Sequence, residues 1–223
     1  MTENLVESIS KRTGISIKEL NRLNKDEWFH GTTIEDAKNI MLNGVDALYN
    51  VGSGHDYGPG FYLAPTLETA ESYISKLPLV LEDGTIKEAR TEWAILKFEF
   101  NPFDLLFRTD SKYTFYNFPK YNEEFGKFVL KNWTENVNNE KPHGYDIIWG
   151  VMSDSVPDKI ASDYETGRIS YSDAVKMFMK STSMKQLYIG NNSICESLTP
   201  IYEKEVKRHG KKYDGEKICK GFI

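Results

Sequence analysis

The residues of this chain best suited to chemistry lie in a run paced by glycine, Gly58-Pro59-Gly60-Phe61-Tyr62-Leu63-Ala64, with a second tyrosine at Tyr73. Upstream stands Trp28-Phe29-His30-Gly31-Thr32, and far downstream Gln186-Leu187-Tyr188-Ile189. The glycine pair sets a tight bend, a strand then displays Tyr62, and a helix carrying Tyr73 begins a few residues later. Two aromatic walls placed this way form a slot for a flat, electron-poor heterocycle, and nicotinamide has that shape. His30, Thr32 and Gln186 bring an imidazole, a hydroxyl and an amide, all able to hydrogen-bond a polar ligand.

Each of these residues also has an ordinary reading on its own. His-Gly after a strand is commonly a turn, tyrosines pack cores, and a glutamine in an alternating strand often faces water. His55, in the glycine loop, reads as a loop histidine; His143 and His209 are equally isolated, and none has a partner at metal-ligand spacing. No metal site is expected. The loop of residues 50–60 lacks the Gly-Lys-Ser/Thr of a P-loop and leads into a strand, not a helix N-terminus, which argues against a phosphate cradle.

The elements that must position these groups follow from periodicity and punctuation. Residues 1–25 read as two short helices, a cap on the remainder of the chain: Leu5, Val6 and Ile9 share a face of the first. Ser16-Ile17-Lys18-Glu19 reads as a capping box opening the second. The same stretch superficially resembles a helix-turn-helix or a LysM helical pair, but the third helix of one and the flanking strands of the other are missing. Glu27–His30 predicts a strand, Ile34–Leu42 a helix, Phe61–Ala64 a strand and Thr66–Lys76 a helix. Asp83-Gly84 marks a turn before a strong strand over Glu92–Phe100 that Asn101-Pro102 ends. Tyr121–Val137 predicts a helix, Tyr145–Met152 a buried strand, Val156–Thr166 and Ser170–Lys180 helices, and Lys185–Ile189 a strand. Residues 110–121 read as a variable, aromatic-rich loop. Strands and helices intersperse without a βαβ rhythm, so the expected class is α+β, with two packed, mainly antiparallel sheets and a cleft.

The 223 residues suffice for one domain core, and at 39% hydrophobic and 13% aromatic the chain is no disordered tail. A net charge of −5 gives no electrostatic footprint for non-specific nucleic-acid binding. Only Glu203–Ile223 is basic, with seven Lys/Arg against four Asp/Glu, and it reads as a solvated, partly frayed terminus. Two cysteines, Cys195 and Cys219, without metal or redox spacing, suggest a reducing compartment. No signal peptide or membrane-length apolar run is evident, so a cytoplasmic protein without a membrane partner is expected.

Together, His30-Gly31-Thr32 ending a strand, the Gly-x-Gly-Phe-Tyr-Leu-Ala strand with Ala70 and Tyr73 on the next helix, and the late Gln186-Leu-Tyr-Ile strand resemble the ADP-ribosyltransferase fold of poly(ADP-ribose) polymerases and diphtheria-type toxins. Tyr145-Asp146-Ile147-Ile148-Trp149-Gly150 through Asp154, then Tyr164-Glu165-Thr166-Gly167, are similar to a little-characterised bacterial branch in which glutamine commonly takes the third position. The resemblance spans about residues 27–200 and implies a cap over residues 1–25 and an ADP-ribosyltransferase-like domain over 26–223. It implies NAD as substrate: Gly31 backbone groups on the nicotinamide amide, His30 on a ribose hydroxyl, Thr32 nearby, and Tyr62 and Tyr73 around the ring. His30, Tyr62 and Gln186 would be the catalytic residues. The implied activity is transfer of ADP-ribose to a protein or nucleic-acid acceptor by a toxin or a defence or effector enzyme, with an antitoxin or immunity protein as a possible partner. An NAD glycohydrolase and an inert NAD- or ADP-ribose-binding module are the alternatives. Glutamine at position 186 supplies a dipole instead of a charge and cannot act as a base. Catalysis is therefore expected either to be slower or to rely on another carboxylate, with Asp154 and Glu196 as candidates.

Overall fold

The computed structural model describes residues 2–76, 78–80, 86–89, 92–108, 112–153, 156–180 and 184–207. The chain opens with helices α1 (Thr2–Thr13) and α2 (Ile17–Leu23), then strand β1 (Glu27–Thr32), helix α3 (Ile34–Asn43), strand β2 (Phe61–Leu63) and helix α4 (Leu67–Ile74). Strands β3 (Pro78–Val80), β4 (Ile86–Ala89) and β5 (Glu92–Glu99) follow, then helix α5 (Pro102–Phe107), strand β6 (Phe115–Phe118) and helix α6 (Glu123–Thr134). The remainder is β7 (Ile147–Val151), α7 (Pro157–Glu165), α8 (Tyr171–Phe178), β8 (Lys185–Ile189), α9 (Asn192–Cys195) and β9 (Pro200–Lys207). The class is α+β.

Two sheets carry the fold. In the first, β1, β5 and β9 run antiparallel; in the second, β2, β8 and β7 are antiparallel and β6 joins β7 in parallel. Alternation gives each strand an inner face. Trp28, Leu96 and Phe98 of the first sheet share one core with Phe61, Leu63, Trp149, Leu187 and Ile189 of the second. The Trp28 ring meets Trp149 edge-on at 5.7 Å, and Phe61 meets Phe98 at 5.3 Å. The opposite face of the second sheet carries Ile148 and Tyr188, which pack with Phe125, Val129, Ile160 and Phe178 of α6–α8. On the outer face of the first sheet, Ala70 and Ile74 of α4 cover Trp93 and Ile95.

Helices start where a side chain can accept the unpaired N–H groups of the first turn. Thr33, Thr66, Asn101, Asn122 and Ser170 do this for α3, α4, α5, α6 and α8. Ser16 caps α2 by accepting from Glu19 N–H, but the reciprocal half of the expected capping box is not observed. The Glu19 side chain turns inward, where it accepts from Trp149 Nε1 at 2.6 Å and pairs with Lys185 and Arg22. Val6, Ile9, Leu20 and Leu23 join the main core beside it, so both N-terminal helices are packed on the sheets.

Two expected irregular stretches are strands. Within residues 110–121, Phe115–Phe118 pairs with β7, and its rings pack with Phe128 and Tyr145. Pro200–Lys207, partly assigned to a frayed terminus, is hydrogen-bonded along β5. The expected turn at Asp83-Gly84, residue Asp154, and His209 and Cys219 in the basic terminus lie outside the described residues.

Candidate functional site

The site forms where β1 and β2 meet. Phe29 and Ala64 exchange both backbone hydrogen bonds across this junction, at 3.0 and 2.7 Å. Those groups of Phe29 therefore point away from β5. Two residues on, Gly31 turns its own N–H and C=O to the same open edge, where no backbone partner meets them among the described residues. Glycine is required here because α4 crosses close above: a Cβ on Gly31 would lie 2.7 Å from the Ala70 carbonyl.

His30 sits in the same seam. Its Nδ1 is 2.8 Å from the Tyr62 carbonyl, and its ring lies 4.5 Å from that of Phe61. A carbonyl only accepts, so Nδ1 carries the proton. Burial lowers the imidazole's pKa, against opposing contributions from the Tyr62 carbonyl and Asp36, which favours a neutral ring whose Nε2 is an acceptor. Thr32 is buried, its hydroxyl 3.4 Å from Asp36 Oδ2.

The Tyr62 side chain projects from the face of β2 opposite Phe61, the face that also bears Tyr188 and Gln186. Its hydroxyl donates to the Gly58 carbonyl at 2.6 Å and accepts from Tyr57 N–H at 3.1 Å. Its ring is stacked on Tyr57, edge-on to Tyr188, and tilted against His55 at 5.4 Å. Tyr73 of α4 differs: it is 41% exposed and makes no aromatic ring contact among the described residues. Desolvation and then the nearby Asp56 carboxylate raise its phenol, which places it in the same electrostatic neighbourhood. The structure thus brings His30 to the Tyr62 backbone and sets Tyr62 and Gln186 on one sheet face, while no contact joins Tyr73 to them among the described residues.

Of the two expected carboxylates, the one the structure describes is not near Gln186. Glu196 is an exposed residue ending α9, beyond the far end of β8 from Gln186, and Asp154 lies outside the described residues. Among the described residues it is Asp56 that meets Gln186. It is 8% exposed; its Oδ2 accepts from Gln186 Nε2 at 3.1 Å and from Ser153 N–H at 2.8 Å, and Trp133 Nε1 approaches Oδ1 at 3.4 Å. Burial pushes its carboxyl up to about 6, although those three donors favour the anion. Sequence reasoning missed Asp56 because a loop carboxylate is ordinarily solvated. The available signal was its setting between Gly54 and Gly58, where small residues let α6 close over the loop.

Two histidines pack beside these groups. Burial brings His55 down to about 4, so it is neutral, and its Nε2 has no hydrogen-bond partner among the described residues. His143 donates from Nε2 to the Tyr57 carbonyl at 2.7 Å and accepts from Tyr145 N–H, a purely structural clamp on the loop. Cys195 is buried with its thiol raised to about 12, which leaves it inert. Among the described residues no cluster of His, Cys, Asp and Glu could hold a metal ion, and no helix is long and apolar enough to cross a membrane. An open groove of about 340 Å³ lies elsewhere, between β6 and α6–α8; Tyr116, Tyr145, Tyr164 and Tyr171 line it, and none of the site residues does.

These features define an α+β protein whose two facing sheets meet at a seam of His, Gly and Tyr, with a buried Asp–Gln pair behind it. The chain belongs to the DUF3990 family, proteins of unknown function, whose profile matches residues 27–199. That span contains every site residue above and excludes α1, α2 and β9. No curated protein and no solved structure matches the chain.

Proposed function

We propose that this chain is an ADP-ribosyltransferase-type enzyme that cleaves nicotinamide from NAD and transfers ADP-ribose to a protein or nucleic-acid acceptor, as a toxin or a defence or effector enzyme. The observation that carries the reading is the open edge at Gly31, whose N–H and C=O stand side by side where β1 meets the Tyr62 strand. A carboxamide offers one acceptor and a donor pair, which match such a backbone pair. The ring then lies along Tyr62 while Tyr73 closes over it from the solvent side, each aromatic pair adding roughly 0.5–1.5 kcal/mol beyond area burial. The neutral His30 accepts a ribose hydroxyl at Nε2.

In the reaction the bond between the ribose carbon and the nicotinamide nitrogen breaks, and its electron pair goes to nicotinamide, which leaves neutral. The ribose passes through an oxocarbenium-like state that an acceptor nucleophile captures, losing its proton to solvent. Gln186 contributes an oriented dipole beside that carbon, a kind of preorganised group whose loss typically reduces rate about 10²–10³-fold. Capture by water would make the protein a glycohydrolase, and binding without cleavage an inert module. Incubation with NAD labelled in its adenylate half, with and without cell lysate, separates the three. Label in a macromolecule with free nicotinamide marks a transferase, and label only in ADP-ribose marks a hydrolase. Intact NAD under all conditions overturns the enzymatic reading.

A further inference from the structure

Gln186 is held from behind. Its Nε2 donates to Asp56 Oδ2 at 3.1 Å, and the Tyr57 hydroxyl beside it donates to the Val151 carbonyl. That approach is possible because residue 150, opposite Gln186 on β7, is glycine: a Cβ there would strike the Tyr57 hydroxyl. With Nε2 turned to Asp56, Oε1 is the part of Gln186 left to meet another partner. Asp56 is in turn fixed by three donors from two segments: Ser153 N–H after β7, and on α6 Trp133 Nε1 and Asn132 Nδ2, the last donating to the Asp56 carbonyl at 3.0 Å.

We propose that Asp56 is a positioning residue whose carboxylate holds the Gln186 amide with Oε1 toward the substrate and supplies, through it, the negative charge that a glutamine lacks. The assignment rests on the NAD-cleaving reading of the site. A carboxylate accepts and never donates, so the anion admits only one orientation of the amide. In that orientation Oε1 can accept from a ribose hydroxyl, and the anion behind it polarises the amide toward the developing positive charge.

The groups facing Asp56 are His55 and Tyr57 of its own loop, Tyr62 of β2, Tyr73 of α4, Asn132 and Trp133 of α6, Ser153 after β7, and Gln186 of β8. None is a cation above the pKa of His55, about 4, and no Lys or Arg pairs with Asp56 among the described residues. Its titration near 6 is therefore the one these contacts leave in the neutral range. The anion is the working form, so turnover falls as pH drops through about 6.

The Asp56→Asn variant tests this. With its oxygen in the Oδ2 place the introduced amide still accepts from Ser153 N–H and Gln186 Nε2, but its own donor then meets Trp133 Nε1, and the negative charge behind Gln186 is gone. We expect kcat for nicotinamide release to fall about 10²–10³-fold, NAD affinity by calorimetry to stay within a few-fold of wild type, and the acid limb near pH 6 to vanish. Combining Asp56→Asn with Gln186→Glu restores a negative charge toward the substrate and should recover most of the loss, which a merely structural Asp56 would not permit. A second measurement uses no NAD: the side-chain amide resonances of Gln186 in the wild type should shift with a midpoint near pH 6. An Asp56→Asn protein with wild-type kcat, or a Gln186 amide indifferent to pH between 5 and 7, overturns the assignment. Titrating Gln186 resonances in a protein that releases no nicotinamide would instead overturn the NAD reading and leave the positioning of the amide standing.

Discussion

Removing the charge of Asp56 should alter how stability depends on pH, by an amount that follows from its burial. The carboxyl titrates at about 6 in the folded protein, against an ordinary value of 3.8. A carboxyl raised on folding binds its proton more tightly in the native state, so its anion opposes folding. The penalty is absent below the unfolded value, grows between 3.8 and about 6, and is fully present above. At 1.36 kcal/mol per unit the whole penalty is about 3 kcal/mol, of which about 2 kcal/mol develops between pH 4.5 and 7.5. Asparagine does not titrate. It also loses one of the acceptor sites serving Ser153, Trp133 and Gln186, which costs about 1–3 kcal/mol at every pH. The pH-independent loss cancels when the stability difference between Asp56→Asn and wild type is compared at two pH values. Urea denaturation at pH 4.5 and 7.5 should show that difference moving by about 2 kcal/mol in favour of the variant as pH rises. Parallel stability curves for the two proteins would refute the argument and mean that the carboxyl is solvated or paired.

Three other substitutions follow from the same contacts. Glu19→Ala leaves Lys185 and Trp149 Nε1 without their partner and should destabilise by about 3–5 kcal/mol in denaturant titrations. Burial raises the Glu19 carboxyl, but Lys185, Trp149 and Arg22 outweigh this and hold it below 4.5; its stabilisation is present above that pH and lost as pH falls through the depressed folded value. Tyr62→Phe keeps the ring but strips partners from the Gly58 carbonyl and Tyr57 N–H, for a loss of about 1–3 kcal/mol measured the same way. Tyr73→Ala, at a 41% exposed site, should leave stability within about 0.5 kcal/mol. In calorimetry with NAD it should weaken binding, though less than Tyr62→Ala.

What the sequence made legible was local. Strand Glu92–Glu99 is read from its apolar run, β8 from its alternation, and α6 from Phe125 and Val129 at helical spacing, because each is decided by its own residues. Strand β6 was hidden because its four residues form an edge that pairs in parallel with a strand thirty-two positions away. Strand β9 was hidden because Glu203, Lys204, Glu205 and Lys207 alternate charge on an edge, where no burial pattern betrays a strand. The order His30, Tyr62, Gln186 was visible, but their side-chain directions required the register Tyr62↔Tyr188 and Gly150↔Gln186. Asp56 and the inward turn of Glu19 depend on tertiary closure over a loop and a helix. No local pattern announces a carboxylate that burial, not propensity, has placed.

The most direct test of the central claim is chromatographic measurement of nicotinamide released from NAD by the wild-type chain and by Gln186→Ala, with acceptor-containing lysate present. We predict nicotinamide in step with NAD consumed by the wild type, and turnover about 10²–10³-fold slower for the variant. Wild-type protein that leaves NAD intact, or a Gln186→Ala variant that releases nicotinamide at the wild-type rate, would contradict that claim.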